Sequence, residues 1–361
     1  STIYLNNSSF FSNFKLKNKI FMCGIFTTYN TSSQWDSIEK SFQKISYRGP
    51  DSSEHLHINK KLTMAFHRLA IMGISDSGNQ PMKHPRDNSL TLICNGEIYN
   101  YKKLADKYGF TLTTGSDSEI ILHLFKEIGI EKTVKALDGV FMFVIYDEIN
   151  DIMYAGRDPV GVRPGFISLN GDEIFISSEA KSLIGITNNT MPFPPGSWWS
   201  SKDNEKFNKY FYCKPDVQTS DSHIDILQNI KSLLTDAVLK RLMSEREIGC
   251  LLSGGLDSSL ISSIVAKNYP GDKLNTFSVG IEGSVDLEYA KSVADFIKSK
   301  HHSIQITEKD FLNAIEVVIY NIESYDTTTV RASVGNYLIS KYIRENTDCK
   351  VIFNGDGSDE V

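Results

Sequence analysis

Seven consecutive residues, Ser253-Gly254-Gly255-Leu256-Asp257-Ser258-Ser259, carry the densest chemistry in the sequence. Two adjacent glycines let a backbone turn sharply and approach a ligand closely. Serine hydroxyls and the amide N–H groups at a helix start then supply donors to an anion. An aspartate amid phosphates would be repulsive, so Asp257 makes sense as a ligand for Mg2+, which neutralises a polyphosphate. The G-x-x-x-x-G-K-[ST] spacing and its lysine are absent, so this is not a Walker A loop. For the glycines alone, a plain Ser/Gly-rich turn is the competing reading.

Such a loop needs a strand before it and a helix after it, and the sequence offers both. Residues 248 to 252 are an apolar run, and apolar residues recur at 260, 261, 264 and 265. Downstream, strand-like 274 to 279, helix-like 286 to 299, strand-like 302 to 306, helix-like 308 to 321 and 333 to 345, and strand-like 350 to 354 alternate. That alternation predicts a parallel sheet with helices on its faces, whose ligands sit beyond the carboxyl ends of the strands. The phosphate loop, the end of strand 274 to 279 and Asn354-Gly355-Asp356-Gly357-Ser358-Asp359-Glu360 all lie at such ends and are expected to share one crevice. Upstream, Ile226, Ile230, Leu233, Leu234, Val238 and Leu242 form one helical stripe. Pro192, Pro194, Pro195 and Gly196, with the polar residues 200 to 222, read as a linker between domains.

The first half has another pattern. Trp35, Ile38, Phe42 and Ile45 share one helix face over 34 to 46, closed by the turn Tyr47-Arg48-Gly49-Pro50-Asp51. Residues 90 to 94 read as a strand, and the Asn95-Gly96-Glu97 that follows is ordinarily a hairpin signal. Ser116 is the expected N-cap of a helix with Ile120, Ile121, Leu124, Phe125 and Ile128 inward, and Asp117 is its first-turn dipole partner. Short β-type runs at 140 to 146, 152 to 155, 165 to 169 and 174 to 177, separated by Asp/Asn/Gly turns, predict an antiparallel sheet.

Length and composition bound the class. The 361 residues have room for two domains, and 40% hydrophobic with 23% charged residues is ordinary for a soluble protein. A net charge of −6 and a pI of about 5.8 leave no basic patch for nucleic acid or an anionic membrane, and no apolar run is long enough to span a bilayer. Five scattered cysteines (Cys23, Cys94, Cys213, Cys250, Cys349) without CxxC spacing support neither disulfides nor zinc, so a reducing, cytoplasmic setting fits. The chain starts at Ser1 rather than Met and stops at Val361 inside a motif, so a fragment is expected.

The loop SGGLDSS resembles the signature of ATP pyrophosphatases, which make adenylates and release diphosphate. Met22-Cys23-Gly24-Ile25-Phe26 is similar to the start of class II glutamine amidotransferases, whose mature chains begin Cys-Gly-Ile. In them the free α-amine, with a reference pKa of about 8, serves as base for the adjacent thiol. Residues 1 to 22 would block that amine. Either Met22 is the true start, or they form a leader or propeptide, or the site is dead as written.

The order RGPD at 48 to 51, Phe66-His67-Arg68-Leu69-Ala70-Ile71 and Gly78-Asn79-Gln80-Pro81-Met82 resembles asparagine synthetases. So do Arg157-Asp158 through Pro164, Ser178-Glu179-Ala180-Lys181 and the terminal G-x-G-S-D-E pattern. One departure is Gly165-Phe166, where a bulky residue commonly precedes the aromatic. The resemblance runs from about 23 to 361 and implies an N-terminal-nucleophile α/β/β/α sandwich over 23–205. A parallel-sheet α/β domain of the adenine nucleotide hydrolase-like type over 206–361, incomplete at its end, would follow.

It assigns Cys23 as nucleophile and the Asn95 amide and Gly96 N–H as the oxyanion hole. Arg68 would hold the glutamine α-carboxylate, and Asp117 with Glu97 nearby the α-ammonium. Leu251, Ser253, Gly254, Gly255, Asp257, Ser258, Ser259, Val279, Asn354 and Gly355 would bind ATP, with Asp257 and Asp359 on Mg2+. Thr328, Thr329 and Arg331 fall in the segment that holds aspartate; without the flanking matches, a polar turn leading into the 333 to 345 helix would be an equal reading. Asp356 stands where the family more often has Glu, which shortens the proposed proton acceptor by about one methylene. The implied reaction is glutamine-dependent conversion of aspartate to asparagine with ATP, through a β-aspartyl adenylate, with an internal route for ammonia and with a homodimer allowed. The rivals are a β-lactam-forming relative, which tends to lose the cysteine, and a non-catalytic glutamine-binding or scaffold protein.

Overall fold

The computed structural model describes residues 22–203, 205–212 and 221–357. Cys213, Asp359 and the leader up to residue 21 therefore lie outside the described residues. In chain order the first part comprises β1 (Gly24–Tyr29), α1 (Trp35–Gln43), β2 (Ser52–His57), β3 (Leu62–Arg68), β4 (Met82–His84), β5 (Asp87–Ile98), α2 (Tyr101–Tyr108) and α3 (Glu119–Ala136). It continues with β6 (Gly139–Asp147), β7 (Ile152–Arg157), β8 (Phe166–Asn170), β9 (Glu173–Ser177), β10 (Thr190–Pro192), β11 (Ser197–Ser200) and β12 (Asn208–Lys209).

These strands form two six-stranded sheets, ordered β10-β8-β9-β1-β3-β2 and β12-β11-β7-β6-β5-β4, with antiparallel pairing. The layering follows from alternation along each strand. Ile25 of β1 faces the second sheet with Met142, Val144 and Met153, while Phe26 turns outward onto Ile38 and Phe42 of α1. On β6, Phe141, Phe143 and Ile145 face Leu104, Ile120, Ile121 and Leu124 of α2 and α3, and Met142 and Val144 face the other sheet. Strands covered on both faces must be apolar throughout, which is why β6 reads GVFMFVIYD. Truncating a fully buried phenylalanine such as Phe143 would cost about 3–5 kcal/mol. The result is the four-layer α/β/β/α sandwich.

Two local expectations change. Asn95-Gly96-Glu97 makes no hairpin turn, because β5 continues straight through it to Ile98, paired with β6 over nine residues. α3 begins at Glu119, with Ser118 rather than Ser116 at its N-cap position. Part of the expected linker also belongs to a sheet, since Asn208 pairs with Trp198 and the Tyr210 hydroxyl donates to the Arg157 carbonyl.

The second part comprises α4 (His223–Arg241), β13 (Ile248–Leu251), α5 (Leu256–Asn268), β14 (Asn275–Ile281), α6 (Val285–Phe296), β15 (Lys300–Ile306), α7 (Glu308–Ile322), α8 (Thr327–Asn346) and β16 (Val351–Phe353). Its sheet is parallel, in the order β15-β14-β13-β16. Val238 of α4 and Val265 of α5 cover one face, and Ile339 and Ile343 of α8 pack on Phe277 at the other. Chain direction across the sheet reverses between β13 and β16, which is the switch point where such sheets open a crevice. α8 starts at Thr327, so the polar segment before 333 is already helical. Among the described residues no helix is long and apolar enough to cross a membrane.

Candidate active site

Cys23 sits just before β1, half-buried, with its Sγ 3.3 Å from the Leu69 amide nitrogen and 3.4 Å from the Leu69 carbonyl. Burial pushes the thiol pKa up, opposed by the Leu69 contact and by the positive charges of Arg163, Arg48 and Arg68. Beside it, β5 delivers Asn95 and Gly96. Asn95 is 2% exposed, and its Nδ2 is a buried donor with no partner among the described residues. Such an orphan costs about 1–3 kcal/mol until something accepts from it. At Gly96 a Cβ would lie 2.4 Å from the Val140 carbonyl oxygen, so β5 packs on β6 only as glycine.

Asp117 reaches the same wall from the turn before α3. Its carboxylate accepts the Ile98 N–H at 2.6 Å. Burial nevertheless pushes its pKa up to about 7, and the Glu97 charge adds to this against the pull of the amide hydrogen bonds. Glu97 is itself paired with Arg163 at 3.3 Å. Arg68 lines the site with its fork already engaged. Nη1 donates to the Ser75 carbonyl at 2.9 Å and to Asn79 Oδ1 at 2.6 Å, and Nη2 donates to the carbonyls of Met72 and Gly73. Arg68 thus shapes the loop 72–79 against the cavity.

The phosphate loop closes as its glycines require. Gly254 has φ +86°, and a Cβ there would lie 2.5 Å from the Ala290 nitrogen. The Ser253 and Ser258 hydroxyls are 2.9 Å apart, and Ser259 Oγ donates to the Gly255 carbonyl at 2.6 Å, so the loop is preformed and exposed. The end of β16 adjoins it. A Cβ on Gly355 would lie 2.7 Å from the Ser258 nitrogen and 3.0 Å from the Asp257 Cβ. Asn354 Nδ2 donates to Asp356 at 2.9 Å. Leu251 and Val279 pack together under Phe277, Ile339 and Ile343. Thr328, Thr329 and Arg331 lie exposed on the first turns of α8, where the Thr329 amide and hydroxyl both donate to the capping Asp326.

One cavity of about 760 Å³ joins the surroundings of Cys23 to the end of β16. Cys23, Arg68, Asn95, Gly96, Glu97 and Asp117 line one end, Leu234, Val238, Arg241 and Ile343 its middle, and Asn354, Gly355 and Asp356 the other. The phosphate loop and the α8 threonines are not part of its wall.

Two features escaped the sequence reading. Glu245, just ahead of β13, accepts the Gly73 and Ile74 N–H groups at 3.1 and 3.3 Å, and Arg246 donates to the Ala70 carbonyl at 2.9 Å. The strand that leads to the phosphate loop thereby also holds the loop beside Cys23. The second is the set of buried charges at Glu179 and Lys181, for which the quoted S-E-A-K string was the available signal.

A family model described as a glutamine amidotransferase domain matches residues 22–244, more than half of the sequence. The chain belongs to the glutamine amidotransferase family. A second model, asparagine synthase, matches residues 229–361 of the same chain. Among curated relatives it is 41% identical over 374 residues to the glutamine-hydrolysing asparagine synthetase of Cricetulus griseus and 40% identical over 375 residues to that of Homo sapiens. Each match covers 94% of this chain and 66% of the relative, so the chain spans about 66% of the length of the curated relatives it matches. A solved glutamine phosphoribosylpyrophosphate amidotransferase from B. subtilis is 13% identical, over 92% of this chain and 91% of that one, with a TM-score of 0.46.

Proposed function

We propose that this amidotransferase uses ammonia from glutamine to make asparagine from aspartate and ATP. The observation that carries the reading is the single cavity running from Cys23 to Asp356 between the two matched domains. At one end the Cys23 sulfur attacks the glutamine carboxamide carbon, and its thiol proton passes, by way of the α-amine freed when residues 1–22 are removed, to the departing nitrogen. The tetrahedral oxygen that forms takes hydrogen bonds from the orphan Asn95 Nδ2 and from the Gly96 N–H, which an oxyanion hole requires. Ionised Asp117, beside Glu97, meets the α-ammonium, and Arg68 holds the wall that receives the α-carboxylate. Ammonia leaves, and water cleaves the thioester to glutamate.

Beside the other end, across Gly355, ATP lies on residues 253–259, with Leu251, Val279, Asn354 and Gly355 around it. Its charge meets the start of α5. The aspartate β-carboxylate, gathered by Thr328, Thr329 and Arg331, attacks the α-phosphorus and diphosphate leaves. Ammonia then attacks the acyl carbon, AMP departs, and Asp356 accepts a proton from the nitrogen. Activation is needed because a carboxylate resists attack, whereas a mixed anhydride carries a good leaving group.

The oxygen donors suit Mg2+, since Asp257 adjoins Gly355 with no room for a side chain between. Among the described residues no three ionisable ligands converge, so an ion there would complete its shell from phosphate and water. When bound by Asp257 and Asp359, Mg2+ would neutralise charge on the phosphates. A cytosolic setting, where thiols stay reduced, and a homodimeric assembly belong to the same reading.

The direct test is glutamate release from glutamine. Cys23→Ala should abolish it while leaving the urea midpoint of unfolding close to the parent's. Retained hydrolysis in that variant would remove Cys23 from the chemistry.

A further inference from the structure

Between Cys23 and the second part of the chain lies a buried set of charges that the proposed chemistry does not use. The Cys23 carbonyl accepts Arg48 Nε at 2.8 Å, and Arg48 Nη1 donates to Glu179 Oε1 at 2.6 Å. The other Glu179 oxygen receives the Tyr47 hydroxyl at 2.5 Å and Lys181 Nζ at 2.7 Å. Lys181 Nζ also donates to the Tyr320 carbonyl at 3.1 Å, at the end of α7. There the Glu323 carboxylate accepts the consecutive N–H groups of Ala180 and Lys181, at 2.9 and 2.6 Å. The same segment is fastened to β1, for the Ser178 hydroxyl accepts the Ile25 N–H at 3.0 Å and its own N–H donates to the Ile25 carbonyl.

The side chains of Arg48, Glu179, Lys181 and Glu323 are 5, 6, 8 and 17% exposed. Two positive and two negative charges make the set neutral, so it can be buried whole, but loss of any member leaves an unpaired charge in a poorly solvated place. Burial raises the Glu323 pKa against the hydrogen bonds from Lys181 and Ala180. Glu179 is held below the usual range, because Arg48 and Lys181 outweigh its own desolvation. Glu323 also has φ 56° and ψ 31°, a left-handed conformation that costs a residue with a Cβ and persists where surroundings fix it. Its carboxylate is what they fix. Three residues later Asp326 caps α8, which carries Thr328, Thr329 and Arg331.

We propose that Glu323 is a positioning residue for Cys23: through residues 179–181 and Arg48 it holds the nucleophile's backbone from across the domain boundary and ties it to the start of α8. This deepens the amidotransferase reading and rests on it. A nucleophile displaced by a fraction of an ångström loses rate without losing substrate affinity, so the effect belongs in kcat.

The test compares the parent chain with Glu323→Gln, which keeps the shape and removes the charge. Two readouts are taken: steady-state glutamine hydrolysis, and the rate of Cys23 alkylation by iodoacetamide followed by peptide mass. The expectation is a fall in kcat of about 5-fold or more with KM within about 2-fold, and an alkylation rate changed by about 3-fold or more. In the pair Glu323→Gln with Glu179→Gln, the combined loss should be smaller than the product of the single losses, as for members of one network. Parent-like kcat and alkylation in Glu323→Gln would overturn the proposal, even with a lowered urea midpoint, because Glu323 would then be only a stabilising contact. If Glu323→Gln does not fold, Lys181→Met is read in the same assays with the same two outcomes. Absence of glutamate release by the parent would count against the amidotransferase reading instead, and the alkylation comparison would still decide whether Glu323 positions Cys23.

Discussion

Asn95 and Asp117 are both buried in the cavity wall at a cost to the folded state, one as an orphan donor and the other as an acid deprived of water. Groups kept under such conditions are the ones a ligand is expected to satisfy. For Asp117 the cost has a pH signature. Its pKa is about 7 in the folded protein and about 4 in an unfolded chain, so the folded state binds the proton more tightly between these values. Stability contributed at this site is therefore lost as pH rises from about 4 through about 7, by up to about 4 kcal/mol. Asp117→Asn should remove that slope. Urea midpoints at pH 5 and pH 8 measure it: the parent should lose more stability across the interval than the variant, and equal losses would contradict the assignment. At this scale the sequence was informative where chemistry is local. Cys23, Asn95 and the serines of 253–259 sit in short strings, and the roles proposed for them rest on those strings. Arg68 was less legible, since nothing in FHRLAI tells that its fork is spent on carbonyls of residues 72–75 and on Asn79.

Elements bring these side chains together by close backbone approaches that only glycine permits. β16 presses Gly355 onto the start of α5, and β5 presses Gly96 onto β6. Gly355→Val would drive a side chain into the Ser258 nitrogen and push the loop open. The expected outcome is loss of ATP binding by calorimetry with glutamine hydrolysis within about 2-fold of the parent, because the displaced groups belong to the second part alone. Unchanged ATP affinity would show that the β16 end does not shape the phosphate site. Most elements were foreseeable from periodicity, and the parallel pairing of the second part from the alternation of its strand-like and helix-like runs. Two segments depart from their local pattern, each for its own physical reason. Asn95, Gly96 and Glu97 are by type a turn signal, yet they lie within a twelve-residue strand, where pairing with β6 overrides turn propensity. Residues 327–332 looked like polar loop because the helix they begin exposes most of that turn and is capped by Asp326, not marked by apolar spacing.

In the whole molecule the surroundings of Cys23 and the end of β16 are connected by one cavity, and the two parts of the chain by two clasps, Glu245 with Arg246 on residues 70–74 and Glu323 on residues 180–181. None of these could be read from the sequence. Glu323 and Ala180 are 143 residues apart, and a carboxylate accepting main-chain N–H groups leaves no motif on its partner. Filling the middle of the cavity separates its ends. Leu234→Trp, at a half-buried position of α4 outside the sheet core, should leave glutamate release largely intact and leave ammonia-dependent synthesis intact, while lowering glutamine-dependent synthesis about 10-fold or more. Equal loss with both nitrogen sources would mean that the wall serves stability and not passage.

The measurement that bears most directly on the central claim follows glutamine labelled with 15N in its side-chain amide, supplied with aspartate and Mg-ATP to the parent protein and to Cys23→Ala. The parent is predicted to place the label in the asparagine side chain and to release AMP with it. Cys23→Ala is predicted to transfer none from glutamine while still incorporating 15N from ammonium. Label reaching asparagine from glutamine in the absence of the Cys23 thiol would contradict the account.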